Sequence, residues 1–255
     1  MTIRHDGLSV EWFGYATVRL ETPGGFVAYL DPGRYGVLTG EWTGPSPEAE
    51  AAHPEPTDYH GRDADLVCVT HAHHYDSDGV ERVAGDDATL VVHEAVDVEG
   101  IDRDVVAPEE LPYEVIRVSD DDRLSVQSET GTVDLWTVAA YNDPDGPYAR
   151  ADGSVVHPSG AGCGYLLSLD GTTVFWPGDS DAHDAFSRLE VSLFLANISG
   201  SVCMDRHDAA DLAESLDPDL VLPVHYNTLD FLEADSAAFA SDVAKRGVPV
   251  VLDER

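Results

Sequence analysis

Short apolar runs, each stopping at a polar residue, set the rhythm of this chain. Leu8 to Leu20 alternates, with Val10, Trp12, Tyr15, Val18 and Leu20 set among polar positions. Thr22-Pro23-Gly24-Gly25 makes a turn, Phe26-Val27-Ala28-Tyr29-Leu30 follows, and Asp31-Pro32-Gly33 ends the run. This pattern predicts a β-hairpin. Leu66 to Val69 alternates little and is bounded by Asp65 and Thr70, as in a buried strand. Val80 to Val83 predicts a short helix, and Leu90-Val91-Val92 a strand with His93 at its end. Residues 115–118, 124–126 and 132–138 read as further strands of a β-meander. The runs 165–169 and 173–176 flank Asp170-Gly171, a strong hairpin signal.

The last third changes period. Residues 191–195 predict a strand, and Asp205 caps a helix across Ala209, Leu212, Ala213 and Leu216. Leu220 to Val224 is a strand ending in His225. Ser236 to Lys245 is a helix stopped by Gly247, and residues 248–252 close the chain as a strand. Residues 34–63 are rich in Gly, Pro and acid without periodicity, which predicts a lid or surface excursion. Its His53 and His60 read as solvated rings. Residues 94–112 are acidic and Pro-interrupted. With no repeat, low-complexity tract or linker, 1–255 reads as a single α/β domain. Its two packed sheets would have helices outside.

Charge changes this picture most. Asp and Glu number 49 against 14 Lys and Arg, a formal net charge of -35, and Lys245 is the only lysine. Disorder needs low hydrophobicity as well as high charge, and 43% of the residues are hydrophobic. The expectation is a folded protein solvated by carboxylates, as in halophiles. Its self-repulsion is screened when the Debye length shrinks to about 3 Å in molar salt. The melting temperature is therefore expected to fall on transfer from molar to millimolar salt; an unchanged midpoint would contradict this. The same charge argues against nucleic acid or an anionic membrane as partner. Cys68, Cys163 and Cys203 have no framework spacing and read as buried core residues in a reducing compartment. The first residues lack a signal-peptide pattern, and no window approaches the ~20 apolar residues of a membrane span. The expectation is a soluble cytoplasmic protein with a small-molecule substrate. A homo-oligomer is compatible with the sequence.

Three strand ends carry groups suited to a metal: His71, His73 and Asp76, then Asp179, then His225. Open α/β sheets place chemistry at the C-terminal ends of strands. Neutral imidazole is the commonest metal ligand, and carboxylates complete a site for a divalent cation. The plain alternative is a polar loop with surface histidines. Against it, four metal-capable side chains fall within six residues, at 71, 73, 74 and 76.

Taken in order, Thr70-His71-Ala72-His73, Gly178-Asp179-Ser180-Asp181, Met204-Asp205 before a helix, and Pro223-Val224-His225-Tyr226 resemble the motifs of the metallo-β-lactamase superfamily. With Trp12 to Ala16 and Asp31-Pro32, the chain looks most like the branch that includes the ascorbate-6-phosphate lactonases. The resemblance implies a four-layer αββα sandwich and a divalent metal, zinc by default, with manganese or iron also suited, as one or two ions. It implies that His71 and His73 hold the first ion, that Asp179 bridges, and that His225 holds the second. The implied activity is hydrolysis of a small ester, lactone or phosphodiester by metal-activated water, with Asp76 or Asp179 orienting that water.

The sequence departs from the family's His-x-His-x-Asp-His in two places. Tyr75 stands where the second-metal Asp belongs, and Asp76 stands at the final His. Asp76 serving as a carboxylate ligand and His74 swinging in are the two rearrangements open. Asn142 stands where many relatives put the middle His, and His157 is the nearest substitute. Asp181 and His183 are candidates for the pocket wall or for a helix cap. Tyr226 is a candidate oxyanion donor or a packing residue. His5, His93 and His207 read as structural or exposed. Loss of a carboxylate at Tyr75 leaves a second reading open: a metal-binding or regulatory module without turnover. A redox role is disfavoured, because the extra acid of di-iron relatives is missing.

Overall fold

The computed structural model describes residues 2–34, 36–37 and 58–254. Most of the expected excursion at 34–63, including His53, lies outside the described residues. Among the described residues the strands form two sheets. The first has seven strands in spatial order: β1 (Ile3–His5), β2 (Leu8–Gly14), β3 (Thr17–Glu21), β4 (Val27–Leu30), β5 (Ala64–Val69), β6 (Ala84–His93) and β7 (Glu114–Val118). The second has six, with β8 (Arg123–Ser128), β9 (Gly131–Ala139), β10 (Cys163–Leu169), β11 (Thr172–Trp176), β12 (Leu193–Asn197) and β13 (Leu220–Val224) running from edge to edge. Helix α1 (Ser77–Val83) packs on β5. Helices α2 (Arg206–Leu216) and α3 (Ser236–Lys245) pack on each other, and α2 packs on β12. The layers are those of an αββα sandwich. The inner faces of both sheets belong to one cluster of buried apolar side chains, and the Tyr165 hydroxyl crosses it to donate to the Val69 carbonyl at 3.0 Å.

The topology explains where chemistry can collect. β4, β5, β6 and β7 are mutually parallel, and so are β11, β12 and β13. Parallel neighbours present their C-terminal ends at one edge. Asp31, Thr70 to His74, Asp179 and His225 follow such ends and Asn197 closes β12, so residues far apart in sequence meet.

Local expectations need four corrections. Leu8 to Leu20 is two strands, because Gly14 (φ 102°) and Tyr15 (φ 49°) turn the chain between β2 and β3. The strand at 115–118 is not part of a meander with 124–138. Ser119 to Asp122 turns the chain, with Asp121 at φ 62°, and carries it from β7 in one sheet to β8 in the other. The closing segment makes only an isolated bridge, Val250 to Val221, with Val251 N donating to the Val221 carbonyl at 3.0 Å. Pro249 has no amide to extend a ladder. The first helix begins at Ser77, earlier than its apolar residues suggest, because Asp76 caps it. Asp205 caps α2 as expected, accepting from the His207 and Asp208 amides at 2.7 and 3.0 Å.

Candidate metal centre

Five imidazoles and one carboxylate converge where the two sheets' parallel strands end. Asp179 lies at the middle. Its Oδ2 is 3.7 Å from His71 Nε2, 3.7 Å from His74 Nε2 and 3.5 Å from His157 Nε2, and its Oδ1 is 3.5 Å from His225 Nε2. His73 Nδ1 faces His157 Nε2 at 3.1 Å, and His74 Nε2 faces His225 Nε2 at 3.2 Å. Two compact donor groups result, His71–His73–His157 and His71–His74–Asp179. All but half-buried His73 are buried.

The outer nitrogens of His71, His74 and His157 are fixed by hydrogen bonds, which leaves their inner ones as lone-pair donors. Thr70 Oγ1 donates to Asp31 Oδ2 at 2.8 Å, so it accepts from His71 Nδ1 at 2.9 Å. His74 Nδ1 donates to Asp31 Oδ2 at 3.0 Å, and His157 Nδ1 to the Val202 carbonyl at 3.1 Å. Asn197 Nδ2 donates to Asp179 Oδ1 at 3.0 Å. Burial pushes the His73 and His225 imidazoles down to about 4, and lowers His71 and His157 as well. Burial raises the Asp179 carboxyl, but His225, His74, His157 and His71 outweigh it and hold it well below the usual carboxylate range. At neutral pH the Asp179 carboxylate is thus faced by neutral rings at His71, His73, His157 and His225.

A divalent cation fits this donor set. His71 Nε2 is buried, without a hydrogen-bond partner among the described residues, and points toward Asp179. Ligands at about 2.1 Å around a tetrahedral ion stand about 3.4 Å apart, and the separations here run from 3.1 to 3.7 Å. A buried unpartnered nitrogen is costly, and an ion would satisfy it.

Of the expected site residues, His71, His73, His157, Asp179 and His225 come together, and Asp76 does not. The Asp76 carboxylate accepts the Asp78 amide at 3.1 Å as the cap of α1, and Asp76 belongs to neither donor group. The available signal was Asp76-Ser77-Asp78 with Arg82 four residues beyond Asp78, a helix start with an i,i+4 ion pair. His74 enters the centre instead. Tyr75 points away, its hydroxyl donating to the Val106 carbonyl at 2.6 Å. Asn142 is not at the centre. Its side chain holds Asp181 Oδ1 at 2.8 Å and accepts the His157 amide at 3.0 Å, so it pins the loop that delivers His157. Asp181 accepts from that same loop, and His183 stacks on Tyr141; neither lines the cavity at the centre. Tyr226 stacks on Trp12 in the core.

Two contributors were not anticipated. Asp31, fully buried, accepts from Thr70 N (2.8 Å), Thr70 Oγ1 (2.8 Å), Trp176 Nε1 (2.7 Å) and His74 Nδ1 (3.0 Å). Gly33 lets that segment close on the histidine turn, since a Cβ there would lie 1.7 Å from the His74 carbonyl oxygen. Tyr15 lines the cavity beside Asp179 and His225. Its backbone is tied by Thr228 Oγ1, which accepts the Tyr15 amide at 2.9 Å, and by His225, whose amide donates to the Tyr15 carbonyl at 3.0 Å. Tyr15, Asp31 and His225 all hold left-handed backbone, φ 49°, 44° and 59°, a strain of about 1–3 kcal/mol each that surrounding structure sustains at functional sites.

The sandwich with its edge cluster of histidines and a central aspartate defines a metal-dependent hydrolase of the metallo-β-lactamase kind. The family model for the beta-lactamase superfamily domain matches residues 9–225. A UPF0173 metal-dependent hydrolase of Pyrococcus horikoshii is 30% identical over 260 residues, covering 96% of each chain. One of Thermococcus kodakarensis is 27% identical over 239 residues, covering 89% of this chain and 93% of its own. The structure of Igni18, a metallo hydrolase from Ignicoccus hospitalis, aligns with a TM-score of 0.65 at 18% identity, over 97% of this chain and 95% of that one. An isothiocyanate hydrolase from Delia radicum gut bacteria gives 0.65 at 16% identity, over 95% of both chains. The chain belongs to the metallo-β-lactamase superfamily and, within it, to the UPF0173 metal-dependent hydrolases. No helix among the described residues is long and apolar enough to cross a membrane.

Proposed function

We propose that the centre holds two divalent cations and that the chain hydrolyses a small ester, lactone or phosphodiester. His71, His73 and His157 hold one ion, His74 and His225 the other, and Asp179 lies between them. The observation that carries this reading is Asp179 with an oxygen within 3.7 Å of a nitrogen on each of four rings. Imidazole and carboxylate donors suit zinc first, and manganese or iron as well. When bound, such ions polarise a carbonyl or phosphoryl oxygen and lower the pKa of water from 15.7 to about 7.

The chain's residues supply position and charge. Asp179 is the carboxylate at the middle of the rings and orients a water by accepting from it. Asp31 and Thr70 fix the His74 and His71 rings. Burial raises the Tyr15 phenol more than the nearby Arg34 lowers it, pushing it up to about 12. Tyr15 therefore keeps its proton and can donate to a substrate oxygen in the cavity. His74 reaching the centre supplies a donor that Tyr75 does not, which supports turnover over a module without it. The resemblance to the ascorbate-6-phosphate lactonase branch puts lactones first in the substrate panel.

The test is metal content after purification, then chromogenic lactone, ester and phosphodiester substrates in molar salt, with and without chelator. Two ions per chain and chelator-sensitive turnover are expected. No bound metal and no turnover under those conditions would favour the module.

A further inference from the structure

The centre opens into a cavity of about 530 Å³. In a chain with 49 acidic and 14 basic side chains, three of the arginines, Arg34, Arg103 and Arg150, line this one cavity. Elsewhere among the described residues six arginines are paired with carboxylates: Arg19 with Glu21 and Asp63, Arg62 with Asp86, Arg82 with Asp78, Arg117 with Glu109, Arg206 with Asp242, and Arg246 with Asp211 and Glu214. At the cavity two arginines reach backbone carbonyls. Arg34 Nε donates to the His73 carbonyl at 2.8 Å. Arg103 Nη2 donates to the Tyr75 carbonyl and, at 3.3 Å, to the Ala72 carbonyl. These contacts hold two guanidinium groups on the backbone of the histidine turn, and those of Arg103 go to neutral carbonyl oxygens that leave its charge in place. Among the described residues neither Arg103 nor Arg150 is in an ion pair, and Arg103 Nε is buried with no hydrogen-bond partner. Asp102 is the acidic lining residue outside the metal centre, and Ile101, Val156 and Phe231 supply an apolar wall. Phe231, 38% exposed, is one of two large hydrophobic side chains left open to solvent among the described residues.

We infer that Arg103 and Arg150, on the cavity wall that Arg34 also lines, form a subsite for an oxyanion, so that the substrate is a small organic anion. It carries a carboxylate or phosphate group beside the bond to be cleaved, and an apolar body against Phe231. This rests on the hydrolase reading above, whose substrate it narrows. The residue type fits the surface. In molar salt the Debye length is about 3 Å, so long-range attraction is lost and contact pairs are what survive. The planar guanidinium matches carboxylate and phosphate oxygens through two parallel hydrogen bonds, which a lysine cannot do. A neutral substrate would leave these groups in the cavity without a purpose, at a desolvation cost that grows as the cavity fills.

The test is calorimetric titration of chelator-treated protein, in molar KCl, with benzoate, phenylphosphonate and neutral benzamide. Both anions, or one of them, are expected to bind while benzamide does not; the tighter anion identifies carboxylate or phosphate as the group recognised. A charged hydrogen bond contributes about 1.5–3 kcal/mol. Arg150→Gln, at an exposed position where folding is not at stake, should therefore weaken the bound anion by about tenfold or more. Arg103→Gln should do the same. Anions binding no better than benzamide, or Arg150→Gln binding them as tightly as wild type, would overturn the inference. A separate arm compares metal-loaded turnover of a neutral aryl ester and its carboxylate-bearing twin. If neither turns over while the anions still bind the metal-free chain, the hydrolase reading fails and the subsite stands.

Discussion

Asp179→Asn is expected to abolish turnover while leaving the metal-free fold standing. The substitution keeps the shape of the side chain and an oxygen to accept from Asn197 Nδ2, now 3.0 Å away. It removes the carboxylate charge at the middle of the imidazoles and the one group shared between the two proposed ions. Lewis-acid stabilisation by a bound cation supplies several kcal/mol to the barrier, so kcat/KM should fall by about a thousandfold or more. Metal content should drop from two ions toward one or none. After chelation, wild type and variant should unfold within about 1 kcal/mol of each other, or roughly 2–4 °C for a chain of this size. Metal analysis, kinetics in molar salt and a thermal melt of the chelated proteins check all three parts. Full metal occupancy in Asp179→Asn would remove the carboxylate from the centre of the site.

Asp31→Ala should cost stability as well as metal. Four buried donors end on this carboxylate: Thr70 N, Thr70 Oγ1, Trp176 Nε1 and His74 Nδ1. An abandoned buried donor costs about 1–3 kcal/mol, and breaking a buried charged network commonly costs about 3–5 kcal/mol. The alanine variant should lose about that much in denaturant unfolding, with or without metal. Asp31→Asn separates the two roles. It retains an acceptor for part of the network, so its stability loss should be smaller. It weakens the charge that fixes the His74 ring, so metal affinity should fall by about 10- to 100-fold, as for other partners of metal-ligating histidines. Metal titration in a competing chelator buffer reads the affinity. Wild-type affinity in Asp31→Asn would mean that His74 is not a ligand oriented through Asp31.

Much of the candidate site could be read from the chain because its side chains sit where apolar runs stop. A buried strand is short and unmistakable, and the residue after it leaves the sheet at a predictable edge. His71, His73, Asp179 and His225 were legible for that reason. His157 was legible only through its resemblance to a missing ligand, since nothing local marks a histidine in a loop of Gly and Pro. The choice between Asp76 and His74, which the sequence leaves open, has a local cause. Asp76 and His74 are two residues apart in one turn, and which of them faces inward depends on where α1 begins. A helix start at Ser77 turns the Asp76 carboxylate back onto the Asp78 amide, and the turn before it carries His74 to Asp31 and His225.

Composition, period and strand-end chemistry determined by themselves that this is an acid-rich α/β chain with metal-capable side chains at the ends of its strands. They could do so because each is a property of neighbouring residues or of the sum of all residues. Only the tertiary structure decided that His74 joins the centre, that Asp31 supports it from 43 residues away, and that Arg34, Arg103 and Arg150 face one cavity. Those are relations between segments whose separation along the chain carries no energy once the sheets have packed, and the physical cause is the alignment of parallel strand ends, which no single segment contains.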